Sequence, residues 1–175
     1  VTANFAIDTY TLSVFTTGGF GTGTVTKAPD KPVYDWGETV TLTANPGTGE
    51  LFDQWGGDLS GGTNPETITI DGDKIVTANF DFMEYTLTVN TVGGTGLGSV
   101  AKSPDQATYH YGDSVLLIAT AGSGEAFDSW SGDLTGSTNP DTITIDGNET
   151  VTAHFDFIEY TLDVTTAGTG SGTVT

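Results

Sequence analysis

Oxygen donors dominate the chemically useful side chains of this sequence. Twenty-three acidic residues stand against four lysines and arginines, for a net charge of −19, with two histidines and no cysteine. Several acids sit in or near short glycine-rich stretches, Asp53, Asp58, Asp71 and Asp73, then Asp128, Asp133 and Asp146, with the amide Asn148 as a further oxygen donor. Hard oxygen ligands of this kind suit calcium, which takes about 6–8 of them. A site would need the stretches 57–61 and 71–73 to converge, and neither has EF-hand spacing. Asp73 gives way to Asn148, an exchange that oxygen ligation tolerates. Asp and Asn are also ordinary turn formers, so calcium and plain turns both stay open.

Aromatic rings are the second resource. Trp55 and Trp130 occupy matched positions, each three residues after a phenylalanine, and are read as core anchors rather than sugar platforms. Trp36 and Tyr111, next but one to Tyr34 and Tyr109, are the glycan-binding candidates. Asn148-Glu149-Thr150 is an N-glycosylation sequon at an expected turn. Nucleophile elbows, phosphate loops and zinc spacings are absent from the sequence, and the two histidines do not recur, so catalysis is not expected. So few cations cannot neutralise phosphates, which excludes nucleic acid as a partner. No apolar run approaches the ~20 residues of a membrane helix, and membrane insertion is not expected.

These residues are positioned by a repeat. Tyr10, Tyr85 and Tyr160 each open Tyr-Thr-Leu-x-Val, seventy-five residues apart. Trp55 returns as Trp130, Lys27 as Lys102, Asp58 as Asp133, and Thr63-Asn64-Pro65 as Thr138-Asn139-Pro140. Apolar residues alternate with threonines, as in Val40-Thr-Leu42-Thr-Ala44 and Ile68-Thr-Ile70, which is a period of two. The fold class is all-β: small antiparallel β-sandwich or β-grasp-like repeats of 75 residues, arranged as an elongated string. Strands are expected near 10–16, 22–27, 38–45, 66–70 and 74–81, with a short extended piece over 50–55. The segment 18–21 is expected to close a first hairpin. Asp71, Gly72 and Asp73 are expected to close a second, with Ile68 opposite Val76. Phe82, matched by Phe157, is expected to pack at the junction of two copies.

The organisation that follows is 1–9 as the last strand of a preceding repeat, 10–84 and 85–159 as complete repeats, and 160–175 as the first hairpin of another. A segment of a longer protein is therefore expected. The strand Val1-Thr-Ala-Asn-Phe5 lacks its hairpin partner, so either neighbouring repeats of the same chain or head-to-tail copies of it are the expected partners.

The phrases Tyr-Thr-Leu-x-Val, Lys-x-Pro-Asp, Phe-Asp-x-Trp-x-Gly-Asp-Leu, Thr-Asn-Pro, Ile-Thr-Ile-Asp-Gly and Val-Thr-Ala-x-Phe together resemble the divergent internalin-type B-repeat family. The resemblance covers both complete copies and both partial ones. It implies a β-rich module of long extracellular, cell-surface proteins, acting as stalk, fibre, spacer or adhesive element. It implies no catalytic residues, and Trp36 departs from the tyrosine the pattern calls for.

Overall fold

The computed structural model describes residues 7–165, 167–170 and 172. The strand expected over 1–5 lies outside the described residues. Residues 160–165 are exposed and in no strand, and much of the hairpin expected beyond them also lies outside.

Among the described residues the first copy contains β1 (Thr9–Tyr10), β2 (Leu12–Gly18), β3 (Thr24–Ala28), β4 (Tyr34–Asp35), β5 (Thr39–Asn45), β6 (Glu50–Gly57), β7 (Glu66–Thr69) and β8 (Lys74–Phe82). The second contains β9 (Leu87–Gly93), β10 (Ser99–Ser103), β11 (Ser114–Thr120), β12 (Glu125–Gly132), β13 (Asp141–Thr144) and β14 (Glu149–Phe157). The fold is all-β, in tandem repeats. Each copy has two three-stranded sheets, in the orders β3-β5-β7 and β2-β8-β6, then β10-β11-β13 and β12-β14-β9.

Neither expected hairpin forms. β7 lies beside β5 with Ile68 opposite Val40, while β8 lies in the other sheet, with Val76 beside Val14 of β2. The segments 18–21 and 71–73 are therefore corners between sheets. The alternation rightly put Ile68 and Val76 inside, but they enter the core from different sheets instead of pairing along a ladder. β2 and β8 run parallel, which the long excursion through β3–β7 makes sterically possible.

The inner faces of the two sheets meet in one core in the first copy. Leu12, Val40, Leu42, Ala44, Trp55, Ile68, Val76, Ala78 and Phe80 are all buried in it. Threonines occupy the alternate positions of β5, which lets a half-solvated strand keep β-propensity on its outer side. β6 breaks the alternation at a bulge between Phe52 and Gln54. Phe52 and Trp55 lie three apart and would face opposite ways in a regular strand. The extra residue, Asp53, turns both inward, with ring centroids 4.9 Å apart. The second copy repeats the bulge between Phe127 and Ser129, and the Phe127–Trp130 spacing is again 4.9 Å.

Trp55 also ties the sheets together. Its indole N–H donates to the Thr63 carbonyl at 2.8 Å. The neighbouring Asn64 side chain then pairs with the backbone of Ala44, accepting from its N–H at 2.9 Å and donating to its carbonyl at 2.8 Å. An amide side chain thereby completes the ladder of β5 where β7 has not yet begun. Trp130, Thr138, Asn139 and Ala119 repeat every bond. The recurring Thr-Asn-Pro phrase is thus a structural part, and its peptide bond to proline is cis in both copies.

By spatial proximity the chain divides into a unit of Val1–Thr88, Gln106–Val115 and Thr144–Glu149, and a second of Val89–Asp105, Leu116–Ile143 and Thr150–Thr175. The first unit includes the bridge between Tyr85 and Tyr109, the counterpart of the β1–β4 pair.

Trp55→Ala should cost about 3–5 kcal/mol, and Trp130→Ala a similar amount. Trp55→Phe keeps much of the ring but leaves the Thr63 carbonyl unpaired, so a loss of about 1–3 kcal/mol is expected. Urea unfolding followed by tryptophan fluorescence measures all three.

Candidate functional site

Three of the acids picked out by sequence, Asp58, Asp73 and Asp133, serve as acceptors for backbone N–H groups. Asp58 follows the last residue of β6. Its N–H donates to the Ile75 carbonyl at 2.8 Å, and its Oδ2 accepts from the Ile75 N–H at 2.7 Å. Asp133 does the same with Thr150, at 3.0 and 2.6 Å. Asp73 Oδ1 accepts from the Thr11 N–H at 2.8 Å and its hydroxyl at 2.9 Å. Those bonds, the backbone one foremost, hold the Asp73 carboxyl below its ordinary range. Asn148 Oδ1 fills the same role for Thr86 at 2.9 and 3.2 Å, so the Asp-to-Asn exchange keeps an acceptor.

Asp71 forms an ion pair with Lys74. Asp53 and Asp128 stand exposed on the two bulges, Asp128 accepting from the Ser129 hydroxyl at 2.8 Å. Asp146 is exposed and donates its backbone N–H to Glu149 at 3.3 Å. Among the described residues, no three His, Asp or Glu side chains gather in an arrangement able to hold a metal ion. Asn148 of the sequon is exposed, its amide oxygen occupied by Thr86.

The carboxylates that matter most to the fold were not singled out from sequence. Glu50 and Glu125, at the starts of β6 and β12, are buried. Glu50 Oε1 accepts from the Thr22 N–H at 3.2 Å and Oε2 from the Gly47 N–H at 2.9 Å. Burial pushes this carboxyl up, but backbone bonds from Gly47, Thr22 and Phe20, with the Thr22 hydroxyl, outweigh burial and leave it below the usual glutamate value. Glu125 is also held low, chiefly by the Thr95 hydroxyl against the cost of burial, with backbone bonds from Thr95, Gly122 and Leu97. Each carboxylate stitches the glycine-rich corner after β2 or β9 to the turn before its own strand. Gly19 and Gly94 each have φ +53°, and a Cβ at either would overlap the carboxylate. The signal in the sequence is the recurring Gly-x-Gly-Glu, at 47–50 and 122–125.

Of the glycan candidates, Trp36 is 62% exposed and meets Tyr10 edge-on at 5.8 Å. Tyr34 and Tyr109 are buried. The Tyr34 hydroxyl donates to the Pro29 carbonyl at 3.0 Å and accepts from the Lys31 N–H at 3.1 Å, closing the turn that the Lys27–Asp30 ion pair braces. Tyr111 lies in the first unit, in a groove of about 500 Å³ with Phe20, Thr22, Gly47 and Thr48. It covers Gly49, which is buried and too close to Tyr111 to accept a side chain. Phe82 packs between Phe20 and His110, with centroids 4.7 and 4.6 Å apart, as a junction residue should. The other histidine, His154, shares a 2.6 Å hydrogen bond with the Ser131 hydroxyl.

One family model, the divergent InlB B-repeat domain, matches residues 10–83 and again 85–159. No curated protein and no solved structure matches the chain.

Asp73→Asn keeps the acceptor and loses only the charge, so it should lower the melting temperature less than Asp73→Ala does. EDTA should leave the melt unaltered; a drop on chelation would show that the acids hold a cation. Carboxyls held low when folded contribute stability above the unfolded glutamate pKa of about 4.3, and lose it as pH falls through the folded value. Stability should therefore be flat from pH 7 to ~5 and fall below ~4. The Glu50→Gln, Glu125→Gln double variant should be weaker at pH 7 and show a shallower acid loss in a thermal melt across pH.

Proposed function

The chain belongs to the divergent InlB B-repeat family, and from that premise we propose that it is a non-catalytic structural segment of an extracellular surface protein. It serves as a spacer in a stalk or fibre. One observation carries the reading: three pairs of polar side chains that recur between the copies are used to hold backbone in place. Asp58 and Asp133, Asn64 and Asn139, and Glu50 and Glu125 bond to the same backbone groups at paired positions. Selection for a binding or catalytic group would favour side chains with unused chemistry, and these have little left. The net charge of −19 supports the same reading, since it favours solubility and discourages collapse onto anionic surfaces.

A spacer needs units that unfold separately and resist extension. Pulling the chain between its ends should give two force peaks, each releasing about 250 Å of chain for a 75-residue copy. Smooth extension without peaks would contradict the spacer reading.

The adhesive alternative rests on Trp36, a large ring open to solvent in the first copy. A glycan array is expected to stay silent. Saccharide binding that disappears in Trp36→Ala would favour the alternative.

A further inference from the structure

In the first copy, β2 and β8 lie side by side and run the same way. They pair from Leu12 beside Lys74 to Gly18 beside Phe80, without a break in register. Among the described residues β2 is an edge strand that pairs with β8 alone, whereas β8 is central and also pairs with β6. Both ends of the pair are reinforced. Ahead of β2, the Thr11 carbonyl accepts from the Lys74 N–H at 2.9 Å, and Thr11 donates its own N–H and hydroxyl to Asp73. At the far end, Gly18 has φ +81° and lies so close to β8 that a Cβ there would overlap the Phe80 carbonyl. The second copy repeats both ends. Thr86 bonds in the same way to Glu149 and Asn148, and a Cβ on Gly93 would overlap the Phe155 carbonyl.

We propose that this parallel pair is the load-bearing element of the copy, and that it works in shear. Tension along the chain enters the copy ahead of Thr11 and leaves it beyond Phe82. Those points lie at opposite ends of the pair, so the force slides β2 along β8 instead of peeling it away. Every bond between the strands is then loaded at once, and Leu12 and Val14 must be dragged across the core before the strands part. Had the two strands been antiparallel, the same two points would lie at one end and the bonds would fail singly. Residues 19–73 loop out between β2 and β8 and carry no tension until the ladder gives way. The two-residue β1–β4 pair lies ahead of it and can open without loosening it. Asp73 and Asn148 acquire a purpose, since each adds two bonds at the point where load arrives. Use of the ladder under tension rests on the spacer reading, but the shear follows from strand direction, and the two fail separately in the test below.

Single molecules of the full 175-residue chain, stretched from their ends at a fixed loading rate, give the reference force of each copy. The chain has no cysteine, so Asp8→Cys with Asp71→Cys supplies two unique attachment points, both at exposed residues. These lie at the Leu12–Lys74 end, and pulling there should unzip the same ladder at about half the force or less, since its bonds then break singly. Asp73→Ala should lower one of the two end-pulled peaks by roughly a fifth, because it removes two of about ten bonds between the strands. Asn148→Ala should do the same to the other peak. Glu50→Gln weakens a corner outside the ladder, so it should lower the melting temperature and leave both peaks in place, because forced unfolding follows the unfolding barrier rather than equilibrium stability. Equal forces in the two pulling directions, or a peak lowered as much by Glu50→Gln as by Asp73→Ala, would overturn the shear while leaving the spacer reading intact. Smooth extension from the ends would overturn both.

Discussion

The bond from an indole to a carbonyl sets the geometry of each copy. Trp55 belongs to the mixed sheet, and its acceptor, Thr63, belongs to the segment leading into the antiparallel one. The ring is 2% exposed, so an unpaired indole N–H or carbonyl there would be left without water as a substitute. That constraint fixes the path of residues 61–65, and with it the place where Asn64 meets Ala44 and β7 enters its ladder. The bulge at Asp53 follows from the same demand, because without it Trp55 and Phe52 could not both face inward. A 75-residue copy has a small core, so one misplaced tryptophan would affect much of it.

Around that clamp the fold satisfies its corners with side chains, having neither helices among the described residues nor disulfides to do so. Chains that change sheets leave backbone N–H groups without ladder partners. Glu50, Asp58 and Asp73 accept from those groups at three successive corners, and Glu125, Asp133 and Asn148 do so in the second copy. This gives part of the acidity a structural cause. Carboxylates accept without donating, which suits them to corners rich in orphan donors. Most of the remaining acids lie on the surface and add to the net charge, while Glu149 is buried and accepts from the Asp146 N–H.

Strand positions were legible because alternation of Val, Leu or Ala with Thr leaves little choice of period, and β5 and β8 fall where the pattern puts them. Sheet membership was not legible. Asp71-Gly72 suits a hairpin turn and a corner equally, and alternation reports only which side chains face inward, not which strand lies alongside. The parallel pairing of β2 with β8 depends on contacts more than sixty positions apart, for which local sequence carries no signal. The family was readable from its phrases, and its model matches the two copies. The burial of Glu50 was hidden by the usual rule that glutamates face water; only its glycine neighbours and its exact return as Glu125 pointed inward. The exposure of Trp36 was legible as a departure from the tyrosine at the matching position.

The chain carries three tryptophans, which makes the central claim directly measurable. Hydrogen exchange of the indole N–H groups, followed by nitrogen-resolved NMR, should give two slow protons, from Trp55 and Trp130, and one fast proton, from Trp36. Similar protection for the slow pair would mean that both copies are clamped alike. Rapid exchange at Trp55 or Trp130 would contradict the account, because the bond on which each copy's two sheets depend would then not be closed.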